Sequence, residues 1–219
     1  QAAAALVLAR LAAPPHTEAV AADGATPVLL RSLQLGGAAG GGAEVTLAAA
    51  AALQHLVGTA AGRADVVAGG VGPCLKLLQQ KVSGAEELCM HALATLQQLV
   101  RESDGRLAVG GANAAYALAK LATDAGSTSQ NKEAAALILC SLTQERSELP
   151  VLISAGAAAP LTAMLRDGAP AAQEEAALAI RQLTTVQART SVGPGPAAPR
   201  KGTVVEAALV QAGVLAPLA

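Results

Sequence analysis

The sequence predicts an all-α fold assembled from stacked helical repeats, and three observations predict it. First, an apolar residue, two spacers and a leucine recur five times, as Leu8/Leu11, Leu53/Leu56, Leu96/Leu99, Leu139/Leu142 and Ile180/Leu183. The second leucines stand 45, 43, 43 and 41 residues apart, the period of two- or three-helix repeats. Second, an alanine precedes each pair by four residues: Ala4, Ala49, Ala92, Ala135 and Ala176. Alanine, an aliphatic residue four on and a leucine three further share one face of an α-helix. The small member of that face lets a neighbouring helix approach closely. Third, shorter glycine-containing strings accompany these helices along the chain.

The strings are ADGATPVLLRSL (Ala22 to Leu33), AGGVGPCLKLL (Ala68 to Leu78), VGGANAAYAL (Val109 to Leu118), SAGAAAPLTAML (Ser154 to Leu165) and QAGVLAPL (Gln211 to Leu218). In each, glycine is expected to close a short helix, because a residue without Cβ takes the left-handed conformation at low cost. In four of the five a proline then stands near the start of the next helix, where its missing N–H is not needed. The third string has Ala114 in that place. A polar or Gly-rich loop follows the medium helix and leads into the long one. Ser83 with Glu86 fits a capping box, and Pro170 with Glu174 and Glu175 fits a first turn that favours negative charge. The unit is short helix, glycine, medium helix, loop, long helix.

Composition narrows the function. The 219 residues are 53% hydrophobic with net charge −1, and Tyr116 is the only aromatic. The core is therefore expected to be Leu, Val and Ala in closely spaced helices. A near-neutral chain without aromatic interleaving lacks both the clustered bases and the stacking platform that nucleic acids require. No run offers the roughly 20 strongly apolar residues of a membrane span. The opening AAAALVLARLAAPP has the apolarity of a signal sequence, but Arg10 interrupts it and it fits the repeat register. Cys74, Cys89 and Cys140 form no CxxC pair and are expected as buried free thiols in a reducing compartment.

The runs Ser147 to Thr184 (SELPVLISAGAAAPLTAMLRDGAPAAQEEAALAIRQLT) and Arg63 to Val100 (RADVVAGGVGPCLKLLQQKVSGAEELCMHALATLQQLV) resemble armadillo repeats almost position by position. HEAT repeats share the period but lack the glycine-separated first helix. The resemblance implies a right-handed α-solenoid of stacked three-helix armadillo repeats. It divides the chain into the last helix of a truncated preceding repeat (1–12), four repeats (14–57, 58–100, 101–143 and 144–184), an insert (185–202) and the start of a truncated fifth repeat (203–219). The expectation is a fragment of a longer protein. The loop GGAAGGG (Gly36 to Gly42) lengthens the first repeat. The Gly/Pro-rich insert carries Arg189, Arg200 and Lys201. It reads as a tolerated surface excursion, or alternatively as a basic regulatory loop modified at Thr190 or Ser191.

Nothing in the sequence supports catalysis. GGAAGGG lacks the strand before it and the Lys-Ser/Thr after it that a phosphate loop needs. His16, His55 and His91 share no metal-ligand spacing, and Cys89 and His91 fall on different sides of a helix. No metal or cofactor is expected. The acidic pairs Glu86/Glu87 and Glu174/Glu175 are explained by helix starts. No Ser or Cys stands in a strand-turn-helix context.

A surface remains. In armadillo proteins the third helices line a concave groove, and an Asn just before the Leu of the pattern bonds the backbone of an extended peptide. The matching positions here are Arg10, His55, Gln98, Ser141 and Gln182. All five are polar and none is Asn, so the family's ligand geometry does not transfer directly. The tryptophan positions of importin-α-like proteins hold Leu6, Ala51, Ala94, Leu137 and Leu178, which argues against recognition of basic localisation signals by stacked lysine stems. The resemblance implies a non-catalytic scaffold that binds extended or helical segments of other proteins, with no nucleic acid, small-molecule substrate or membrane span. Alternatives are the substrate-receptor region of a U-box-type ubiquitin ligase and, less favoured, an importin-α-type adaptor. The expected location is the cytoplasm, with nucleus or cilium as variants.

Overall fold

The computed structural model describes residues 7–8, 10–35, 43–69, 71–79 and 85–190, with 35 and 187–190 described by backbone alone. Among these residues the regular structure is entirely helical. After a helical turn around residues 10–11, the helices follow in triplets. The first is α1 (Thr17–Ala22), α2 (Ala25–Leu35) and α3 (Ala43–Leu56). The second is α4 (Ala60–Gly69), α5 (Gly72–Leu77) and α6 (Ala85–Leu99). The third is α7 (Ser103–Gly111), α8 (Ala114–Thr123) and α9 (Ser129–Leu142). The fourth is α10 (Leu149–Ser154), α11 (Ala158–Asp167) and α12 (Pro170–Thr190).

The chain forms two compact units, Gln1–Ala112 and Asn113–Ala219. In the first, like packs on like: α1 against α4, α4 against α7, α2 against α5 and α3 against α6. In the second, α8 packs on α11 and α9 on α12. Each medium helix also packs against the long helix of its own triplet. This is the nearest-neighbour arrangement of a repeat array.

The repeated face is the core. Ala49, Leu53 and Leu56 on α3 are buried, as are Ala92, Leu96 and Leu99 on α6, Ala135, Leu139 and Leu142 on α9, and Ala176, Ile180 and Leu183 on α12. Each fully buried leucine contributes about 1.5–3 kcal/mol, so the face that defines the period also supplies much of the driving force. In the first copy, Leu8 is half-buried and Leu11 is 45% exposed. All three cysteines are free thiols in this core.

The left-handed residue between short and medium helices is Gly24 (φ 76°) in the first triplet and Gly156 (φ 75°) in the fourth. In the third it is Asn113 (φ 56°) rather than Gly110 or Gly111, which lie within α7. Asn is the usual substitute for Gly at such a position, since its short polar side chain tolerates φ > 0. Glu86 and Glu87 stand in the first turn of α6 as expected. By contrast, the first turn of α12 holds no acidic residue: Pro170 opens it and Glu174 and Glu175 fall beyond that turn. The helix also continues to Thr190, so the opening of the segment expected as an insert is helical. Readings of residues 1–6, 36–42, 83, 191–202 and 203–219 lie outside the described residues.

Candidate functional site

The long helices carry the polar positions singled out in the sequence. In the first unit, α3 holds His55 and α6 holds Gln98. The two helices pack together. His55 is exposed and Gln98 half-buried. Gln98 reaches back toward the turn after α3: a Cβ added to Gly58 would lie 3.8 Å from Gln98 Oε1. That oxygen is buried without a hydrogen-bond partner among the described residues. Arg10 is exposed on the helical turn preceding α1.

In the second unit, α9 and α12 pack together and present Ser141 and Gln182. Ser141 Oγ donates to Leu137 O at 3.1 Å, a local bond that consumes its proton and leaves the oxygen as an acceptor. Gln182 repeats the arrangement of Gln98, with Oε1 buried and unpartnered. Leu178, one turn before Gln182, is 51% exposed, while Leu137 is half-buried. The first unit has alanines at the equivalent places, Ala51 and Ala94, both half-buried.

One functional candidate escaped the sequence reading. His91 Nδ1 lies 2.6 Å from Gln54 Oε1, joining α6 to α3 across the packed pair. The imidazole is held below its usual pKa by burial and by His55, with Glu87 acting in the opposite sense. The neutral ring is the form present at pH 7. The available signal was the spacing of His91 from Gln98, seven residues and two helical turns, which puts both on one face.

Other features do not compete with this face. A groove of about 360 Å³ between α4 and α7 is lined by Arg63, Val67, Glu102 and Asp104, and the polar row of the long helices takes no part in it. Among the described residues no cluster of His, Cys, Asp and Glu is placed to hold a metal ion. None of the described helices is long and apolar enough to cross a membrane. Burial raises Cys74 to about 12, Cys140 to about 12 and Cys89 to about 11, with Glu175 adding to the effect at Cys140 and Glu86 at Cys89. These are poor nucleophiles, since reactivity belongs to the thiolate.

No protein-family model matches the sequence, and no curated protein does. Solved structures do match. A computationally designed armadillo repeat protein for modular peptide recognition is 19% identical, with a TM-score of 0.69 over 97% of this chain and 91% of that one. A designed armadillo repeat protein in complex with the peptide (KR)4 is 20% identical, with a TM-score of 0.67 over 96% of this chain and 91% of that one. An engineered protein of the Northeast Structural Genomics Consortium is 24% identical, with a TM-score of 0.69 over 98% of this chain and 79% of that one. At these identities the likeness is one of architecture: the chain has the all-α armadillo repeat fold.

Proposed function

We propose that this protein is a non-catalytic peptide-binding scaffold, which holds extended segments of other proteins against the polar row of its long helices. The observation that carries the reading is the pair Gln98 and Gln182. Each has a buried Oε1 without a hydrogen-bond partner among the described residues, at the same place on equivalent helices, which leaves the NH2 as the amide group available to a ligand. An extended chain presents unpaired carbonyls, and within each unit one such amide donor is available to them. Arg10 and His55 supply further polar contacts, and Ser141 an acceptor. The fold likeness to designed armadillo proteins, one of them bound to a peptide, supports the same reading.

The importin-α-type variant is disfavoured by Ala51 and Ala94, which offer no ring for a lysine stem. A ligase receptor would require a U-box or similar domain outside these residues. The test is binding of a displayed random-peptide library to the intact chain and to the combined variant His55→Ala, Gln98→Ala, Gln182→Ala. The expected result is loss of most captured peptides with the helical circular dichroism unchanged. Undiminished capture by the triple variant overturns the proposal.

A further inference from the structure

We propose that His91 forms a side-chain subsite on the face shared by α3 and α6, accepting a hydrogen bond at Nε2 from a long side chain that ends in N–H donors. The proposal rests on reading that face as a peptide-binding surface. Its starting point is the 2.6 Å contact between His91 Nδ1 and Gln54 Oε1. An amide oxygen only accepts, so Nδ1 carries the proton and donates. In a neutral imidazole that leaves the Nε2 lone pair free. Nε2 has no hydrogen bond among the described residues and is not one of the buried unpartnered atoms, so it opens to solvent. Gln54 thereby fixes an outward-facing acceptor, as a second partner does for a metal-ligating histidine.

Position decides what reaches it. His91 and Gln98 share a face two turns apart, about 10 Å along the helix axis. Ala94 between them is half-buried and contributes only a methyl, so no long side chain stands at that turn. A segment whose backbone is held by the Gln98 NH2 reaches His91 through a side chain alone. Arginine and glutamine have the length and share the chemistry, a terminal N–H donor. Glu87, exposed one turn beyond His91, favours the cationic member. The groups acting electrostatically on the ring are Glu87 from α6 itself and His55 from α3. Protonation turns Nε2 from acceptor into donor, so acid abolishes the subsite.

The test uses peptides selected on the intact chain from a displayed library of random linear peptides at neutral pH. Each is resynthesised with arginine, glutamine or leucine at the register position where donor residues concentrate. A glutamine peptide is expected to bind about fivefold more weakly to His91→Phe, the worth of one neutral hydrogen bond, and an arginine peptide, whose donor is charged, about tenfold or more, while the leucine counterpart is unaffected. His91→Gln, which keeps an acceptor but does not titrate, is expected to retain affinity and to lose the weakening seen on acidification. Gln54→Leu, which frees the tautomer, is expected to weaken donor peptides without altering leucine ones. Equal binding of donor peptides by His91→Phe, where Gln98→Ala still weakens them, overturns the subsite and leaves the groove standing. A library yielding no peptide sensitive to Gln98→Ala overturns both.

Discussion

Arg63 and Arg106 perform the same closure one repeat apart. Arg63 Nη1 donates to Val57 O at 3.3 Å and Gly58 O at 3.2 Å. Arg106 Nη1 donates to Val100 O and Arg101 O, both at 3.2 Å. Each guanidinium thus satisfies carbonyls left open where a long helix ends, at the negative end of its dipole. The residue before each arginine is a glycine, Gly62 or Gly105. A Cβ there would collide with the carbonyl of Leu56 or Leu99, the last residue of the preceding long helix. The first helix of one triplet is therefore seated directly on the end of the last helix of the triplet before.

That seating makes the first prediction. Gly62→Ala is expected to destabilise the first unit by about 1–3 kcal/mol, as overpacking does. Arg63→Ala, which removes two long hydrogen bonds from a half-buried group, is expected to cost about 1 kcal/mol. Hydrogen exchange read at the amides of α4 should show the larger loss of protection for the glycine variant. An alanine at 62 that leaves exchange unchanged contradicts the close approach.

The second prediction concerns the repeated leucine. Leu96 is fully buried on α6, which packs against α3 and α5, so Leu96→Ala is expected to cost about 2–5 kcal/mol, transfer plus cavity. Because each repeat touches only its neighbours, protection should fall most in α3, α5 and α6 and least in α1. Uniform loss from α1 to α7 would show instead that the unit unfolds as one body.

How much of this was legible beforehand depended on the kind of interaction. The Ala/Leu face was readable because burial imposes one side-chain period on every copy, and all described members from Ala49 to Leu183 are buried. Gly24 and Gly156 were readable because only a few residue types suit φ > 0, yet Asn113 was passed over for the glycines beside it. The dipeptide Gly62-Arg63 recurs as Gly105-Arg106, a signal present in the sequence but detached from the hydrophobic pattern. The Gln54–His91 bond was not legible. Both residues are ordinary polar positions on a helix, and their meeting depends on how α3 and α6 pack. The same holds for Gln98 and Gln182: sequence marked them as polar but not which end of the amide faces out.

The third prediction follows from the thiols. Cys74 and Cys140 are raised to about 12 and Cys89 to about 11, burial being the main cause in each. At pH 8 all three should be protonated and inert to iodoacetamide in the native protein. Modification measured by mass is expected to appear only as urea opens the core, in step with the loss of helical signal. Prompt native-state labelling of any one would show its helix to be locally open.

The last prediction is a linkage effect at His91. Its folded pKa lies below the ordinary 6.5, so between the two values the unfolded chain binds more protons than the folded one. Stability therefore rises with pH across that window. The contribution of the neutral, partly buried ring is fully present above pH about 6.5 and is lost as pH falls through the lower folded value. His91→Gln, unable to titrate, is expected to lose less stability than the unaltered chain when urea denaturation is repeated at mildly acidic pH. Nitrogen NMR of the unaltered chain at neutral pH should report the Nδ1–H tautomer. An Nε2–H tautomer would mean that Gln54 does not hold the ring, and identical acid sensitivity in the two proteins would mean that burial does not hold its pKa down.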